Sequence, residues 1–341
     1  MFFASDNGSS ASPEVMEAVM QANTGYAQGY GADDLTAAVT TEIRKLFDAP
    51  DAIVHLVATG TAANALALSS LVQPWQAVFC HKHAHIAEDE CGAPEFYTGG
   101  AKLVLVEGDH GKIGVDNLHA AMAGTGGSVH GVQPGVLSLT NVTEAGTVYT
   151  PEQIAALTAL AKVHGVPSHL DGARFANALV ATGASAAAMT WQAGIDAVSF
   201  GGTKNGCLGV EAVIFFDPAR DWELQLRRKR GGHLFSKNRY LAAQMLGYLQ
   251  DGAWLVRAAH ANAMAQRLAD GLAQVSDVRA CHPVQANVLF VEWPLGTHML
   301  LKEAGAVYYP YPAPEGRERA RLVTSWSTTS AEVDAFLAAF P

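Results

Sequence analysis

From residue 53 onward the chain alternates short apolar runs with longer stretches in which apolar residues recur at helical spacing. Runs at 53–57, 77–80, 103–106, 136–140, 166–170, 195–200 and 210–216 read as strands. Helical patterns at 62–72 and 151–164 lie between them, and this rhythm predicts a largely parallel, doubly wound sheet. Upstream, Ser12-Pro13-Glu14 opens a helix to about Asn23; a glycine- and tyrosine-rich loop follows at 26–34, then an amphipathic helix at 35–47. Thr150-Pro151-Glu152-Gln153 combines a capping box with proline at the first helical position. Beyond the strand at 210–216, a long helical stretch from about 236 to 275 carries the chain towards a second unit. That unit has strands at 287–292 and 321–325 and helices at 297–303 and 331–340, the last opened by Thr329-Ser330-Ala331-Glu332. The expected division is residues 1–245, an N-terminal segment and large domain, and 246–341, a linking helix and small α/β domain.

Composition narrows the partners. Of 341 residues, 49% are hydrophobic and only 16% charged, so much surface must be buried in the core or between subunits, which predicts an oligomer. A formal net charge of -10 argues against nucleic acid and anionic membranes and suits a small zwitterionic substrate. No apolar run approaches the roughly 18 residues of a membrane helix. Cys80, Cys91, Cys207 and Cys281 are widely separated and nothing resembles a signal peptide, so a soluble, cytoplasmic protein with reduced thiols is expected.

Candidate chemistry concentrates at strand ends. Ser199-Phe200-Gly201-Gly202-Thr203-Lys204-Asn205-Gly206 places a lone lysine in a small-residue turn after an apolar run. Such a lysine suits a Schiff base to an aldehyde cofactor, although alone it also reads as a surface turn. His169-Leu170-Asp171-Gly172-Ala173-Arg174 ends another run with an aspartate, and a buried carboxylate can hold a pyridine nitrogen protonated. Together Asp171 and Lys204 point to pyridoxal 5'-phosphate. Thr59-Gly60-Thr61-Ala62-Ala63-Asn64 opens a helix directly after a strand, offering free amides to a phosphate or simply capping the helix. Arg227-Arg228-Lys229-Arg230, followed by Gly231-Gly232, is a solvated helix end or a source of phosphate ligands, with spacing unable to choose between Arg228 and Arg230. His81, His83 and His85 alternate, so an extended segment would turn all three one way towards a metal, with Glu88, Asp89 and Glu90 nearby. A helix beginning after Ala84 would break that face and leave His85 to stack on an aromatic cofactor. Arg174 and Arg321 could each fork an amino-acid carboxylate, with Ser5, if the fold brings the three together.

Taken jointly, Ser5-Asp6, Tyr30-Gly31, Thr59 to Asn64, His85, His169 to Arg174, Lys204, Arg228 to Gly232 and Arg321-Leu322-Val323-Thr324 resemble the threonine aldolases of the low-specificity and phenylserine type. These are a branch of the fold type I pyridoxal phosphate enzymes that also includes β-eliminating lyases. The resemblance implies an α/β fold of the aspartate aminotransferase-like, pyridoxal-phosphate-dependent transferase type: a mostly parallel seven-stranded sheet in a large domain, a small C-terminal α/β domain, and homodimers or homotetramers with shared sites. It implies Lys204 as Schiff base, Asp171 on the pyridine nitrogen and His85 on the ring and as candidate base. Gly60, Thr61 and Thr203 would lie about the cofactor, with Arg174 beside it. Ser5, Arg174 and Arg321 would hold the substrate carboxylate, and Tyr30 with Arg228 or Arg230 would come from the neighbouring subunit. A second histidine frequent in the family falls at Asn141-Val142-Thr143-Glu144, with Thr143 in its place. The implied reaction is retro-aldol cleavage of L-threonine, L-allo-threonine or a phenylserine to glycine and an aldehyde. β-Elimination or racemisation would use the same lysine and aspartate, and a metal-dependent hydrolase built on His81, His83 and His85 is the rival of another class.

Overall fold

The computed structural model describes residues 1–340. Seven strands form its main sheet: β1 (Ile53–Val57), β2 (Gln76–His81), β3 (Lys102–Val106), β4 (Gln133–Thr140), β5 (Ser168–Gly172), β6 (Ala197–Gly201) and β7 (Glu211–Phe215). Their order is β1-β7-β6-β5-β4-β2-β3. The pairs from β3 through β6 are parallel, whereas β7 runs against both β6 and β1. Parallel neighbours require crossovers, supplied by helices such as Pro151–Val163 and Phe175–Thr182. The antiparallel β6–β7 pair needs only a short hairpin, and that hairpin carries Lys204. Because β1 is parallel to β6 across β7, one edge of the sheet collects the carboxyl ends of six strands and the start of β7.

The apolar runs become strands because both faces of the sheet are covered. All residues of β5, β6 and β7 are buried, and Phe47, Phe175, Phe200 and Trp254 meet in the main core. Thr150 and Gln153 form the expected capping box, as do Thr329 and Glu332.

Two expectations need correction. The stretch expected as one long helix is two, Arg239–Leu249 and Ala253–Leu272, because Asp251 and Gly252 adopt left-handed φ values of 51° and 72°. The last strand begins earlier than residue 321. A four-stranded antiparallel sheet joins β8 (Arg279–Ala280), β9 (Val288–Pro294), β10 (Tyr309–Tyr311) and β11 (Arg317–Val323) in the order β10-β11-β9-β8. The charged start of β11 hid it. Arg319 and Arg279 bracket the buried carboxylate of Glu292, while Ala320 and Leu322 face the core. The first residues of the chain also lie on this small sheet. Phe3 donates its N–H to Val307 O at 2.8 Å, accepts from Val323 N at 2.8 Å, and buries its ring against Phe336, Leu322 and Trp293. The N-terminal segment thus crosses from the small sheet to the edge of the large one.

The two site strands touch through a glycine. A Cβ at Gly201 would stand 2.5 Å from Ala173 O, a backbone atom with nowhere to move. Gly201→Ala is expected to cost about 1–3 kcal/mol and to lower the melting temperature by several degrees in a thermal scan, roughly as overpacked cores do.

Candidate active site

Lys204 sits in a single helical turn, Thr203–Asn205, immediately beyond β6. The turn is fixed from below. Asn205 donates to Tyr248 Oη at 3.1 Å and to Trp254 O at 2.8 Å, Arg257 Nε donates to Asn205 O at 3.2 Å, and Gly206 closes the turn at φ 114°. The half-buried Lys204 amine has no hydrogen-bond or ion-pair partner among the described residues. Its charge is nevertheless felt by Asp6, His85 and Glu211, which places those groups around it.

Asp171, at the end of β5, accepts from Ala173 N at 3.0 Å and from Asn64 Nδ2 at 2.8 Å. The same amide donates to Glu90 Oε1 at 2.9 Å, and that oxygen lies 2.7 Å from His85 Nδ1. One amide therefore ties the aspartate to the histidine. Asn64 is the one strongly polar side chain in an Ala- and Leu-rich helix, Gly60–Ser69, which is the sequence signal that could have assigned it this role. Glu90 serves the histidine rather than a metal. The helix His85–Glu88 ends at Asp89, and the buried Glu90 folds back under the histidine.

The Glu90 hydrogen bond, opposed by burial, raises the His85 pKa above the ordinary imidazole value. A raised histidine contributes stability that is complete below its unfolded value near 6.5 and fades as pH rises through the folded one. Glu90→Gln is expected to move the His85 NMR titration to lower pH and to remove that part of the pH dependence. An unmoved midpoint would show that the pair is not coupled.

The three alternating histidines do not converge. His81 Nε2 lies 3.1 Å from Gly108 O, His83 Nδ1 lies 2.7 Å from Glu88, and His85 faces Glu90. The extended segment ends at His81, and the helix starting at His85 breaks the shared face. Among the described residues no three His, Cys, Asp or Glu side chains are grouped as metal ligands.

The N-terminal segment brings Ser5, Arg174 and Arg321 together, with a correction. Arg174 does not offer an open fork: its Nε and Nη2 donate to Asp6 at 2.7 and 3.0 Å, and Asn287 Nδ2 donates to the same carboxylate at 3.0 Å. Nη1 alone is left without a partner among the described residues. Burial would raise the Asp6 pKa, but the charge and hydrogen bonds of Arg174, the charge of Lys204 and the Asn287 bond outweigh it and hold the carboxyl below its usual range. Arg321 lies between Tyr309 and Tyr311, reaches Ala4 O at 3.4 Å and keeps a buried Nε without a partner. Ser5 Oγ accepts from Asn7 N at 3.1 Å. Asp6 is the residue missed here: its neighbour in sequence was singled out, but its partners come from 168 and 281 positions away.

Other candidates are sorted by their contacts. Thr59 caps the helix through Ala62 N at 3.2 Å, leaving the amides of Gly60 and Thr61 without acceptors among the described residues, and a Cβ at Gly60 would meet nothing within 4 Å. Thr203 directs its hydroxyl at Val210 N and Glu211 rather than outward. Thr143 is buried, with its hydroxyl 2.8 Å from that of Thr147. The charge of the next residue, Glu144, reaches both His85 and Arg174, as does that of Asp171. Arg228 is buried, donates to Asn238 Oδ1 at 2.9 Å and has an unpartnered Nε, whereas Arg230 is exposed. Arg228 and Tyr30 line one groove of ≈ 740 Å³, which meets a second groove of ≈ 980 Å³ at Ala32, Asp33 and Asp34; neither contains Lys204 or Asp171.

A family model described as beta-eliminating lyase matches residues 3–293. The chain belongs to the β-eliminating lyase family. Within it, the chain is 41% identical over 331 residues to the low specificity L-threonine aldolase of a Pseudomonas species, covering 97% of this chain and 94% of that protein. It is also 41% identical to the low specificity L-threonine aldolase of Pseudomonas aeruginosa, covering 96% and 93% of the two chains. A solved Leishmania major threonine aldolase superposes with a TM-score of 0.94 at 30% identity, over 99% of this chain and 97% of that one. Membership of the β-eliminating lyase family accords with the large, mostly parallel sheet.

Proposed function

We propose that the chain is a pyridoxal-phosphate-dependent aldolase that cleaves L-β-hydroxy-α-amino acids to glycine and an aldehyde. One observation carries the reading. An unpartnered lysine amine and the Asp171–Asn64–Glu90–His85 chain share one sheet edge, in a protein 41% identical to low specificity L-threonine aldolases. The residues present fit the cofactor: a free amine for its aldehyde, a carboxylate for its ring nitrogen, an oriented imidazole for its face, and free amides beside an open glycine for its phosphate. When bound, pyridoxal phosphate supplies a ring that accepts the electrons of a broken bond at Cα.

The remaining work belongs to the chain. Arg174 through Nη1, Arg321 and Ser5 hold the substrate carboxylate, and this grip orients the Cα–Cβ bond. His85, held at Nδ1 by Glu90, presents Nε2 to take the β-hydroxyl proton. Asp6 fixes Arg174 and keeps its charge compensated. Arg228, rather than Arg230, reaches the phosphate of a neighbouring subunit together with Tyr30, since the two already share one groove wall. The unit is then a homodimer or homotetramer acting on a small amino acid.

Initial rates with L-threonine, L-allo-threonine and both L-phenylserine diastereomers, with aldehyde quantified, test the reading. Turnover of at least one pair is expected. No aldehyde from any of the four would overturn it.

A further inference from the structure

β7 opens with a lone ionisable residue in an otherwise apolar strand, and all five of its residues are buried. Glu211 pairs in register with Gly201 on β6 and Val57 on β1, so its side chain starts beside the lysine hairpin. Oε2 accepts from Gly202 N at 2.9 Å. The Thr203 hydroxyl accepts from Val210 N at 3.2 Å and, beside the same carboxyl, favours its ionised form. Gly202 and Thr203 are the two residues preceding Lys204. None of the roles above uses Glu211, and a buried carboxyl without a fixed cation is costly unless it can be neutral.

From this geometry we propose that Glu211 is the proton partner of Lys204, acting through the lysine: it holds a proton while Nζ is bonded to a carbonyl carbon and releases it when Nζ is a free ammonium. In loading, the N–H bonds of the ammonium break as Nζ joins the carbonyl carbon, the carbonyl oxygen leaves as water with two of the protons, and the third is balanced through solvent by an O–H bond formed on Glu211; release by water reverses each change, with no change in oxidation state. The proposal rests on Lys204 being the residue that joins the cofactor.

The forces on the carboxyl are close to balance. Burial, the largest, raises its pKa, bonds from Thr203 and Gly202 and the charge of Lys204 favour the carboxylate, Asp171 opposes it, and the net is a pKa raised to about 7. Cys207 and Tyr248 also face it; burial raises both, and the Glu211 charge adds to that rise. Cancelling the lysine charge removes one of the forces favouring the carboxylate. Glu211 then moves further up and is protonated at neutral pH.

The test is calorimetric titration of pyridoxal phosphate into the apoenzyme in buffers of different ionisation enthalpy, which counts protons taken up. Glutamine can keep the bonds to Gly202 and Thr203 but cannot ionise. Near pH 8 the unaltered protein is expected to take up roughly half a proton or more per subunit beyond Glu211→Gln, and near pH 5 the two counts should converge. In the unaltered protein, infrared difference spectra should gain a carboxylic-acid C=O band on loading, whether or not the variant folds. Equal proton counts with normal loading, or no such band, would overturn the role of Glu211 alone. Neither heat nor chromophore with pyridoxal phosphate would overturn the reading of Lys204, and this role with it.

Discussion

Lys204→Ala is expected to remain folded, to show no absorbance near about 420 nm with pyridoxal phosphate, and to lose on the order of 10⁴- to 10⁶-fold in kcat. The amine has no hydrogen-bond partner among the described residues, so its removal orphans no buried group. The turn is held instead by Asn205, Arg257 and Glu211. Stability should therefore change by no more than about 0.5 kcal/mol, as for substitutions that break no packing. Spectrum, kcat and denaturant midpoint measured together separate this from a folding defect. A retained chromophore would show that another amine does the work.

The second large effect concerns a residue that touches no reacting atom. Asp6→Ala leaves the buried Arg174 guanidinium without its carboxylate and frees Asn287 from the same contact. Removing one partner of a buried ion pair costs about 3–5 kcal/mol. Urea unfolding should report a loss of that size, with a raised KM because the Arg174 fork is no longer fixed. The pH sign is definite. Asp6 is depressed in the folded state, so its contribution is present above the unfolded carboxyl value and disappears as pH falls through the lower folded one. Asp6→Leu with Arg174→Met should recover part of the stability but not the KM. If Asp6→Ala alone were neutral, the pair would not join the N-terminal segment, the large sheet and the small sheet.

Legibility in the sequence followed the range of the interactions. The inner strands β5, β6 and β7 were readable because they are buried on both faces and therefore largely apolar, the edge strand β3 showed as an apolar run although it is half-exposed, and both capping boxes lie within four residues. Lys204 and Asp171 stood out as polar residues at the ends of such runs. What escaped was set by distant partners. Asp6 gains meaning only beside Arg174 and Asn287, and Glu90, legible only as a carboxylate near three histidines, is turned inward where the short helix His85–Glu88 ends. β11 was masked because its arginines have partners set by the fold: Arg319 pairs with Glu292 across the sheet, Arg317 with Asp277, and Arg321 sits against Tyr309 and Tyr311. The break at Asp251-Gly252 was visible as an Asp-Gly pair, but the helical periodicity on either side outweighed it.

The central claim is that this lysine and aspartate serve cleavage of the Cα–Cβ bond. Product stoichiometry on a β-hydroxy-α-amino acid tests it most directly: purified, loaded protein should release glycine and the corresponding aldehyde in equal amounts. A keto acid and ammonia in their place would mean that the same groups drive β-elimination, and would contradict the account.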